Sequence, residues 1–330
     1  MQKLSSVIPK IQGRKIMVIG DMLADVYLDG RISRISREAP VLVLEEAGEK
    51  VVAGGAANVV ANVATLGGDV YAVGVLGDDN NAESLRKILM DHDVHVEGLV
   101  LDKTRPTISK TRIIAGGSAT VSQQIVRIDR ESKEPLSKKM EAAIIGKLDK
   151  ILPHVEGIVL SDYGAGTLTA TITKWLINYA QKNKIPTIVD SRYRIGEFEG
   201  VSFAKQNDSE LANFVGHPLD DMTDLIEAGT ALLNKLNANG VLITRGERGM
   251  SLFERGGAVH HIPVSDKSEV FDVSGAGDTC VASFILAVTS GVTTALAAKV
   301  SNYASGIAVR KLGTSTVNFI ELEKVLERAR

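Results

Sequence analysis

Short apolar runs alternate with longer amphipathic segments along most of the chain, and this alternation predicts the fold class. The runs have the length and composition of strands buried on both faces and cover residues 17–19, 71–76, 157–160, 187–190 and 241–244. The segments between them have helical spacing and cover residues 82–90, 137–152, 168–183 and 219–239. This order predicts an α/β protein with a doubly wound, mostly parallel sheet flanked by helices and joined by right-handed crossovers.

Two stretches depart from this order, because residues 41–46 and 107–130 are rich in β-forming residues without helices between them. They predict hairpins that leave the main sheet and form a small β-sheet. The small sheet could be a decorative edge extension or a lid that excludes water from a cleft, and we favour the lid. We therefore expect one domain over residues 1–330, with lid segments at about 26–50 and 105–130.

Composition limits the classes of protein that the chain can belong to. The 330 residues are 44% apolar and 24% charged, which suits one large core. A net charge of −2 provides no basic field for nucleic acid or a membrane surface, and the single cysteine, Cys280, cannot form a disulfide framework. We see neither a signal pattern nor an apolar run long enough to span a bilayer, so we expect a cytoplasmic protein.

The octapeptide at 272–279, Asp-Val-Ser-Gly-Ala-Gly-Asp-Thr, precedes a segment with helical spacing. The turn Gly275, Ala276, Gly277 would place free N–H groups and the positive end of a helix dipole at one point, which suits an anion such as a transferring phosphoryl group. Asp278 could then accept the proton of a hydroxyl that attacks phosphorus. The alternative is that Asp278 only caps the helix.

The octapeptide resembles the signature of the ribokinase-like (PfkB) carbohydrate kinases, Asp-Thr-x-Gly-Ala-Gly-Asp, with Val273 in place of threonine. Segment 54–62 resembles the first signature of that family. The resemblance implies ATP-dependent phosphoryl transfer to a sugar hydroxyl, with Asp278 as the base and the glycine turn as the anion site. Its implied sugar-binding residues are Asp25, Gly54, Gly55 and Asn58.

Segment 205–210, Lys-Gln-Asn-Asp-Ser-Glu, resembles the Lys-Pro-Asn-x-x-Glu motif of the family. The resemblance implies that Asn207 and Glu210 orient Mg²⁺ through water, since hard oxygen ligands suit that ion. These residues could also begin a helix that Asn207 or Asp208 caps, and both readings can hold together. The residues that the resemblance assigns to ATP are Lys205, Thr244, Gly246, Gly249 and Asn302.

Further stretches resemble the kinase domain of the heptose 7-phosphate enzymes: 33–41, 105–112, 123–130, 161–164 and 311–317. D-glycero-D-manno-heptose 7-phosphate, converted to the 1,7-bisphosphate, is therefore the leading reaction. A phosphorylated acceptor needs cations, and the candidates near the lid are Arg34, Lys110, Arg112 and Arg127. Residues 165 and 191–194 depart from the subgroup, which leaves the exact sugar open. Because the chain has no His-x-Gly-His motif, we expect adenylyl transfer to belong to another protein.

Other functions remain as alternatives. The chain could be another PfkB sugar kinase of the ribokinase or fructokinase type, or a non-catalytic sugar- or nucleotide-binding protein, although Asp278 disfavours the latter. An oxidoreductase is disfavoured because no Gly-x-Gly-x-x-Gly follows the first strand, and the P-loop motif of other kinases is also missing. We expect a homodimer formed through the β lid, because isolated lid strands would expose edges and apolar side chains.

Overall fold

The elements of the computed structural model follow the predicted alternation, and the model describes residues 4–116, 122–132, 134–265 and 270–329. The strands are β1 Lys15–Gly20, β2 Met22–Ile35, β3 Leu42–Gly55, β4 Asp69–Leu76, β5 His95–Leu101, β6 Ile108–Gly116, β7 Gln123–Arg130, β8 Gly157–Asp162, β9 Thr187–Ser191, β10 Phe203–Asn207, β11 Gly240–Thr244, β12 Met250–Glu254 and β13 Val259–Ile262. The α-helices are α1 Ile8–Ile11, α2 Ala56–Thr65, α3 Asn80–Met90, α4 Lys138–Ile151, α5 Ala170–Asn183, α6 Asp208–Val215, α7 Met222–Leu236, α8 Ala276–Thr289, α9 Thr294–Ala308 and α10 Phe319–Arg328. None of the helices in the described ranges has the length and apolar character that crossing a membrane requires.

The main sheet has nine strands in the order β13-β12-β11-β10-β9-β8-β1-β4-β5, and only the pairings that involve β12 are antiparallel. Strand β1, in the interior of this sheet, shows why buried parallel strands appear in the sequence as continuous apolar runs. Ile16 and Val18 pack into the core that contains α2 and α8, whereas Met17 and Ile19 pack into the core on the opposite face, with α4 and α5. The predicted α/β architecture with helices on both faces is confirmed.

A second sheet of four strands, in the order β3-β2-β6-β7, forms the predicted small β layer. Strand β2 pairs antiparallel with β3 and parallel with β6, and β7 forms an antiparallel outer edge. The sequence implied a sugar-binding role for Asp25, and the structure places this residue in a strand of the small sheet. Asp25 lies inside β2, where it is paired with Val52 and Lys110, because β2 starts almost directly after β1.

The two sheets join where β3 runs into α2, and the glycine pair at this join has a steric role. A side chain at Gly54 would come within 2.5 Å of Oδ2 of Asp25. Gly55 has a φ of +54°, and a side chain there would approach the carbonyl oxygen of Asp21 to 2.8 Å. The pair therefore lets the small sheet pass close to the carboxyl end of β1, which brings Asp25 near the start of α8.

Candidate active site

The start of α8 has the geometry of an anion site. Gly275 caps the helix with a φ of +79°, and a side chain there would come within 2.7 Å of Nδ2 of Asn58. The helix begins at Ala276, earlier than the start at Thr279 that the spacing predicted. Within the described residues, the backbone N–H groups of Gly277 and Asp278 have no hydrogen-bond acceptor. They are free to bind a negatively charged group at the positive end of the helix dipole.

Asp278 is buried and is held by two donors that come from different elements. Its Oδ2 accepts a hydrogen bond of 2.7 Å from Nδ2 of Asn58, and its Oδ1 accepts one of 2.9 Å from the hydroxyl of Tyr163. Its carboxyl group does not cap α8. Burial raises the pKa of Asp278 to about 6, although the hydrogen bond from Asn58 acts to lower it. A carboxylate with a pKa near neutrality is suited to accept a proton.

Asn58 forms hydrogen bonds within the protein that the sequence interpretation did not include. The amide of Asn58 donates to Asp278, and its Oδ1 accepts a hydrogen bond of 3.2 Å from Asn62. Asn62 in turn accepts a hydrogen bond of 2.9 Å from the hydroxyl of Thr279. Asn58 therefore ties α2 to α8 and orients Asp278, whereas a contact between Asn58 or the glycine pair and a sugar stays a prediction.

A buried ion pair lies next to the glycine turn. Nζ of Lys205 is 2.9 Å from Oδ2 of Asp190, at the adjacent ends of β10 and β9. Burial lowers the pKa of Lys205, but the charges of Asp190 and Glu210 outweigh this and raise it above its usual value. A side chain at Gly277 would come within 2.8 Å of this ammonium group, so a larger residue there would displace Lys205 from its present position. The ammonium and the free N–H groups of α8 thus face the same space.

Asp25 is nearly buried on the face of the small sheet that is directed towards this site. Its Oδ1 accepts a short hydrogen bond from Arg112, and its Oδ2 accepts one of 2.8 Å from the hydroxyl of Thr314. The guanidinium of Arg112 also lies over the ring of Tyr27, 5.3 Å from its centroid. Asp25 is consequently fixed in one orientation, with its remaining lone pairs available to ligand hydroxyls.

The predicted phosphate-binding cations fall into three environments. Arg112 is paired with Asp25, and Arg127, beside it on β7, is paired with Asp129 at 2.8 Å. Arg34 is exposed near the far end of β2, roughly 30 Å along the strand from Asp25. Neither Arg34 nor Lys110 has a carboxylate oxygen within 4 Å among the described residues, and of these two Lys110 is the one that lies beside the candidate site.

Arg192, which the sequence interpretation did not assign, shares the environment of Lys110. It too has no carboxylate oxygen within 4 Å in the described part of the chain. Nζ of Lys110 lies 5.5 Å and Cζ of Arg192 lies 5.0 Å from the centroid of the Tyr163 ring. Burial lowers the pKa of Lys110, and the charge of Arg192 lowers it further. Two cations that lie beside the same ring without a carboxylate partner indicate a site for an anion.

Two cavities meet at the glycine turn. The first has a volume of about 340 Å³, and its wall includes Asp278, the Lys205–Asp190 pair, Tyr163 and Arg192. The second has a volume of about 360 Å³ and a mostly apolar wall that includes Met250, Val264, Val270 and Val309. Residues common to both walls are Lys205, Asn207, Val273 and Gly277. A polar ligand in the first cavity and a flat aromatic ring in the second would therefore lie on either side of Gly277.

The second cavity contains the remaining residues that were predicted to bind the nucleotide. Its wall includes Thr244, Gly246, Gly249 and Asn302 as well as Lys205. Gly249 has a φ of +77°, and a side chain there would overlap the carbonyl oxygen of Ile262. Nδ2 of Asn302 donates a hydrogen bond of 2.7 Å to the carbonyl of Pro263, which fixes the wall between α9 and the segment after β13.

Asn207 and Glu210, the predicted magnesium residues, form a capping box at the start of α6. Oδ1 of Asn207 accepts a 2.8 Å hydrogen bond from the N–H of Glu210, and Oε2 of Glu210 accepts one of 2.8 Å from the N–H of Asn207. Within the described residues Oε1 of Glu210 has no donor, and the described ranges hold no cluster of three or more metal-ligating side chains. The pair thus fits an ion held mainly by phosphate and water, with one carboxylate oxygen facing its water shell.

Residues that the sequence interpretation did not assign complete the site: Tyr163, Asp190, Arg192 and Thr314. Arg192 lies in a stretch whose basic residues depart from the heptose-phosphate subgroup, which was the one signal that could have drawn attention to it. The contact between Tyr163 and Asp278 joins residues that are 115 positions apart, and no local pattern predicts such a contact.

Comparison with known proteins agrees with this geometry. Residues 14–320 match the model of the family described as pfkB family carbohydrate kinase. The chain is 40% identical over 315 residues to the bifunctional protein HldE of Azorhizobium caulinodans, which covers 95% of the chain and 64% of that protein. It is 42% identical over 307 residues to the bifunctional protein HldE of Geobacter metallireducens, which covers 93% of the chain and 61% of that protein. The chain thus spans less than two thirds of the length of these curated relatives.

Solved structures show the same fold. A ribokinase from Arabidopsis thaliana in complex with ribose and ATP matches with a TM-score of 0.75 at 20% identity, covering 96% of this chain and 99% of that chain. Phosphofructokinase-2 from Escherichia coli in complex with fructose-6-phosphate also matches with a TM-score of 0.75, at 19% identity and with coverages of 96% and 99%. The family match over most of the chain and the identity to the curated relatives show that this protein belongs to the pfkB family of carbohydrate kinases.

Proposed function

We propose that this carbohydrate kinase transfers a phosphoryl group from ATP to a hydroxyl of a sugar phosphate, with D-glycero-D-manno-heptose 7-phosphate as the leading acceptor and the 1,7-bisphosphate as its product. The observation that carries the proposal is a pair of cations without a carboxylate partner in the described residues. Arg192 lines the cavity that contains Asp278, and Lys110 lies over the ring of Tyr163, which is part of the same wall. The choice of heptose rests on the sequence resemblance to the heptose 7-phosphate kinases.

The chemistry follows from the groups around Asp278. Its carboxylate accepts the proton of the acceptor hydroxyl as that oxygen attacks the terminal phosphorus of ATP. Asn58 and Tyr163 orient the carboxylate, and the free N–H groups of Gly277 and Asp278 stabilise charge on the phosphoryl oxygens. Lys205 adds a positive charge where the two cavities meet.

Kinases of this family use ATP, and we propose that Mg²⁺ accompanies the nucleotide here. When bound, Mg²⁺ neutralises part of the phosphate charge. In this chain Glu210 and Asn207 would orient its water ligands, and the capping box keeps both side chains in place at the start of α6. Burial raises the pKa of Glu210, despite the nearby charge of Lys205, so a cation in the cavity would favour its ionised form.

The acceptor would be held at two points. Asp25, fixed by Arg112 and Thr314, would accept hydrogen bonds from sugar hydroxyls. Lys110 and Arg192 would bind the phosphate that the acceptor already carries, one from the small sheet and one from the main sheet. Acceptor binding would then hold the small sheet over the cavity, which is the action of a lid.

A panel of acceptors tests the proposal. Purified enzyme with ATP and Mg²⁺ is assayed for ADP release against heptose 7-phosphate, other sugar phosphates and the matching free sugars. We expect a sugar phosphate to be preferred, and faster turnover of a free sugar such as ribose than of every phosphate tested would overturn the proposed substrate class.

A matched pair of variants adds a structural control. Lys110→Met should raise KM for the sugar phosphate roughly 10- to 100-fold, because a charged hydrogen bond is lost. Arg37→Met removes an exposed charge between β2 and β3 and should leave KM unchanged. Equal effects of the two substitutions would contradict a phosphate site at Lys110.

We also propose that the protein is a cytoplasmic homodimer with its interface on the small sheet. All eight residues of β7 are exposed, including Ile125, Val126 and Ile128, which leaves an apolar surface and an unpaired strand edge in water. Pairing of two small sheets around a two-fold axis would cover this surface. Light scattering at low concentration tests the assembly, and a fully active monomer would contradict it.

A further inference from the structure

Tyr163 contacts both the catalytic base and the two unpaired cations. Its hydroxyl donates a 2.9 Å hydrogen bond to Oδ1 of Asp278. Nζ of Lys110 and Cζ of Arg192 lie 5.5 Å and 5.0 Å from the centroid of its ring. Lys110 belongs to β6 in the small sheet, whereas Arg192 directly follows β9 in the main sheet. One side chain thus joins the base to a cation from each sheet.

The backbone of Tyr163 is fixed by a buried carboxylate. Oδ2 of Asp21 accepts hydrogen bonds from the N–H groups of Tyr163, at 2.9 Å, and Ala165, at 3.0 Å. Oδ1 of Asp21 accepts another, of 3.0 Å, from the N–H of Thr167. Because the loop after β8 is held in this way, the orientation of the phenol ring depends on its neighbours in the cavity.

We propose that Tyr163 is a positioning residue that makes the orientation of Asp278 depend on an anion bound between Lys110 and Arg192. The proposal rests on the proposed function, in which this anion is the phosphate of the acceptor sugar. Without an anion, the two cations repel each other. A phosphate offsets this repulsion and strengthens the two cation–π contacts that already hold the ring, which keeps the hydroxyl on Asp278 for a larger share of the time. A phosphorylated acceptor would in this way align its own base.

The hydroxyl of Tyr163 can be tested separately from the other groups that face Asp278. These groups are Asn58 from α2, Asp190 from β9 and Lys205 from β10, and all remain in a Tyr163→Phe variant. Burial and the charge of Asp278 raise the pKa of Tyr163 well above its usual value, so the phenol stays protonated and donates throughout the working range. Loss of a donor to the charged carboxylate raises the pKa of Asp278.

The first experiment measures the pH dependence of kcat/KM for Tyr163→Phe. The acid limb, expected near pH 6 in the unmodified enzyme, should move up by about one pH unit, and kcat at neutral pH should fall roughly tenfold with little change in KM. Tyr179→Phe removes a hydroxyl from α5 and should leave the profile unchanged. An unmoved acid limb in Tyr163→Phe, or the same shift in both variants, would overturn the positioning role.

The second experiment is a double-mutant cycle with Lys110→Met, measured as kcat on the sugar phosphate. If the cation acts through the ring, the double variant should be little slower than the slower of the two single variants. Independent multiplication of the two effects would overturn the dependence on the anion, even if Tyr163 still positions the base.

A titration of the resting enzyme separates this inference from the proposed function. The carboxyl of Asp278 is followed by ¹³C NMR in aspartate-labelled protein, with its signal assigned by its loss in Asp278→Asn. A raised pKa in Tyr163→Phe supports the positioning role, and an unchanged pKa overturns it. If no sugar phosphate is a substrate, the proposed function fails while this titration still decides the role of Tyr163.

Discussion

The two sheets of this protein differ in how they use β structure. In the main sheet, strand β1 is buried on both faces, and its side chains alternate between two apolar cores. In the small sheet, β2 and β3 are 14 residues long and become exposed towards their far ends, and β7 is exposed along its whole length. Packing on both faces therefore restricts the interior of the main sheet to apolar side chains. The small sheet has exposed positions, which can hold charged side chains near the cavity.

Charged groups near the site are of two kinds, and both sheets contain each kind. At the carboxyl edge of the main sheet, Asp162 is buried and bonded to Ser191 and Arg194, and Lys205 is paired with Asp190. Lys110 in the small sheet and Arg192 after β9 have no carboxylate oxygen within 4 Å in the described residues. Paired charges hold neighbouring side chains in place, whereas a cation without a partner is available to a ligand. Substitutions of the two kinds of charge should therefore act on different properties.

The largest effect is expected from the base itself. Asp278→Asn keeps the shape of the side chain but removes the proton acceptor, so kcat should fall roughly 10²- to 10⁴-fold while nucleotide affinity changes little. Steady-state kinetics and nucleotide titration measure the two quantities. Turnover similar to that of the unmodified enzyme would remove Asp278 from the catalytic role.

A matched pair of truncations tests the structural side of the comparison. Leu160→Ala, at a fully buried position of β8, should lower the free energy of unfolding by about 2–5 kcal/mol because it leaves a cavity between packed elements. Ile125→Ala, at a position of β7 that is 38% exposed, should change it by less than about 0.5 kcal/mol in the monomer. Denaturant unfolding at low protein concentration measures both, and equal losses would mean that β7 is packed as firmly as the main sheet.

The sequence predicted the main sheet well because its signal is local. The apolar runs correspond to β1, β4, β8, β9 and β11, and the helices α3, α4, α5 and α7 lie within or beside the predicted segments. The observed boundaries differ from the predicted ones in two kinds of place. Helix α8 starts inside the glycine-rich motif, at Ala276, and strand β2 starts at Met22, almost directly after β1. Such shifts depend on tertiary pairing, which periodicity does not contain.

The site was predictable in its parts and not in its contacts. The glycine turn and Asp278 were proposed because a glycine-rich turn before a helix suits an anion, and both lie at the start of α8. The roles of Asn58 and Tyr163 as donors to the base depend on approaches between distant segments. Arg34 illustrates the converse, since a basic residue in a matching stretch lies far along β2 once the strand is extended. Charge alone did not distinguish it from Lys110.

The smallest expected effect links the base to stability. Because burial raises the pKa of Asp278 from 3.8 to about 6, the folded state binds more protons than the unfolded state between these values. The contribution of this group to stability is therefore present at low pH and is lost as pH rises towards and through 6. Asp278→Asn has no such titration, so its stability relative to the unmodified enzyme should increase by about 1 kcal/mol between pH 5 and pH 8. Urea unfolding of both proteins at the two pH values measures the difference, in which the titrations of all other groups cancel. A gap that stays constant would show that Asp278 titrates in the folded protein as it does in the unfolded chain, and a base with an ordinary pKa would then have to operate in this cavity.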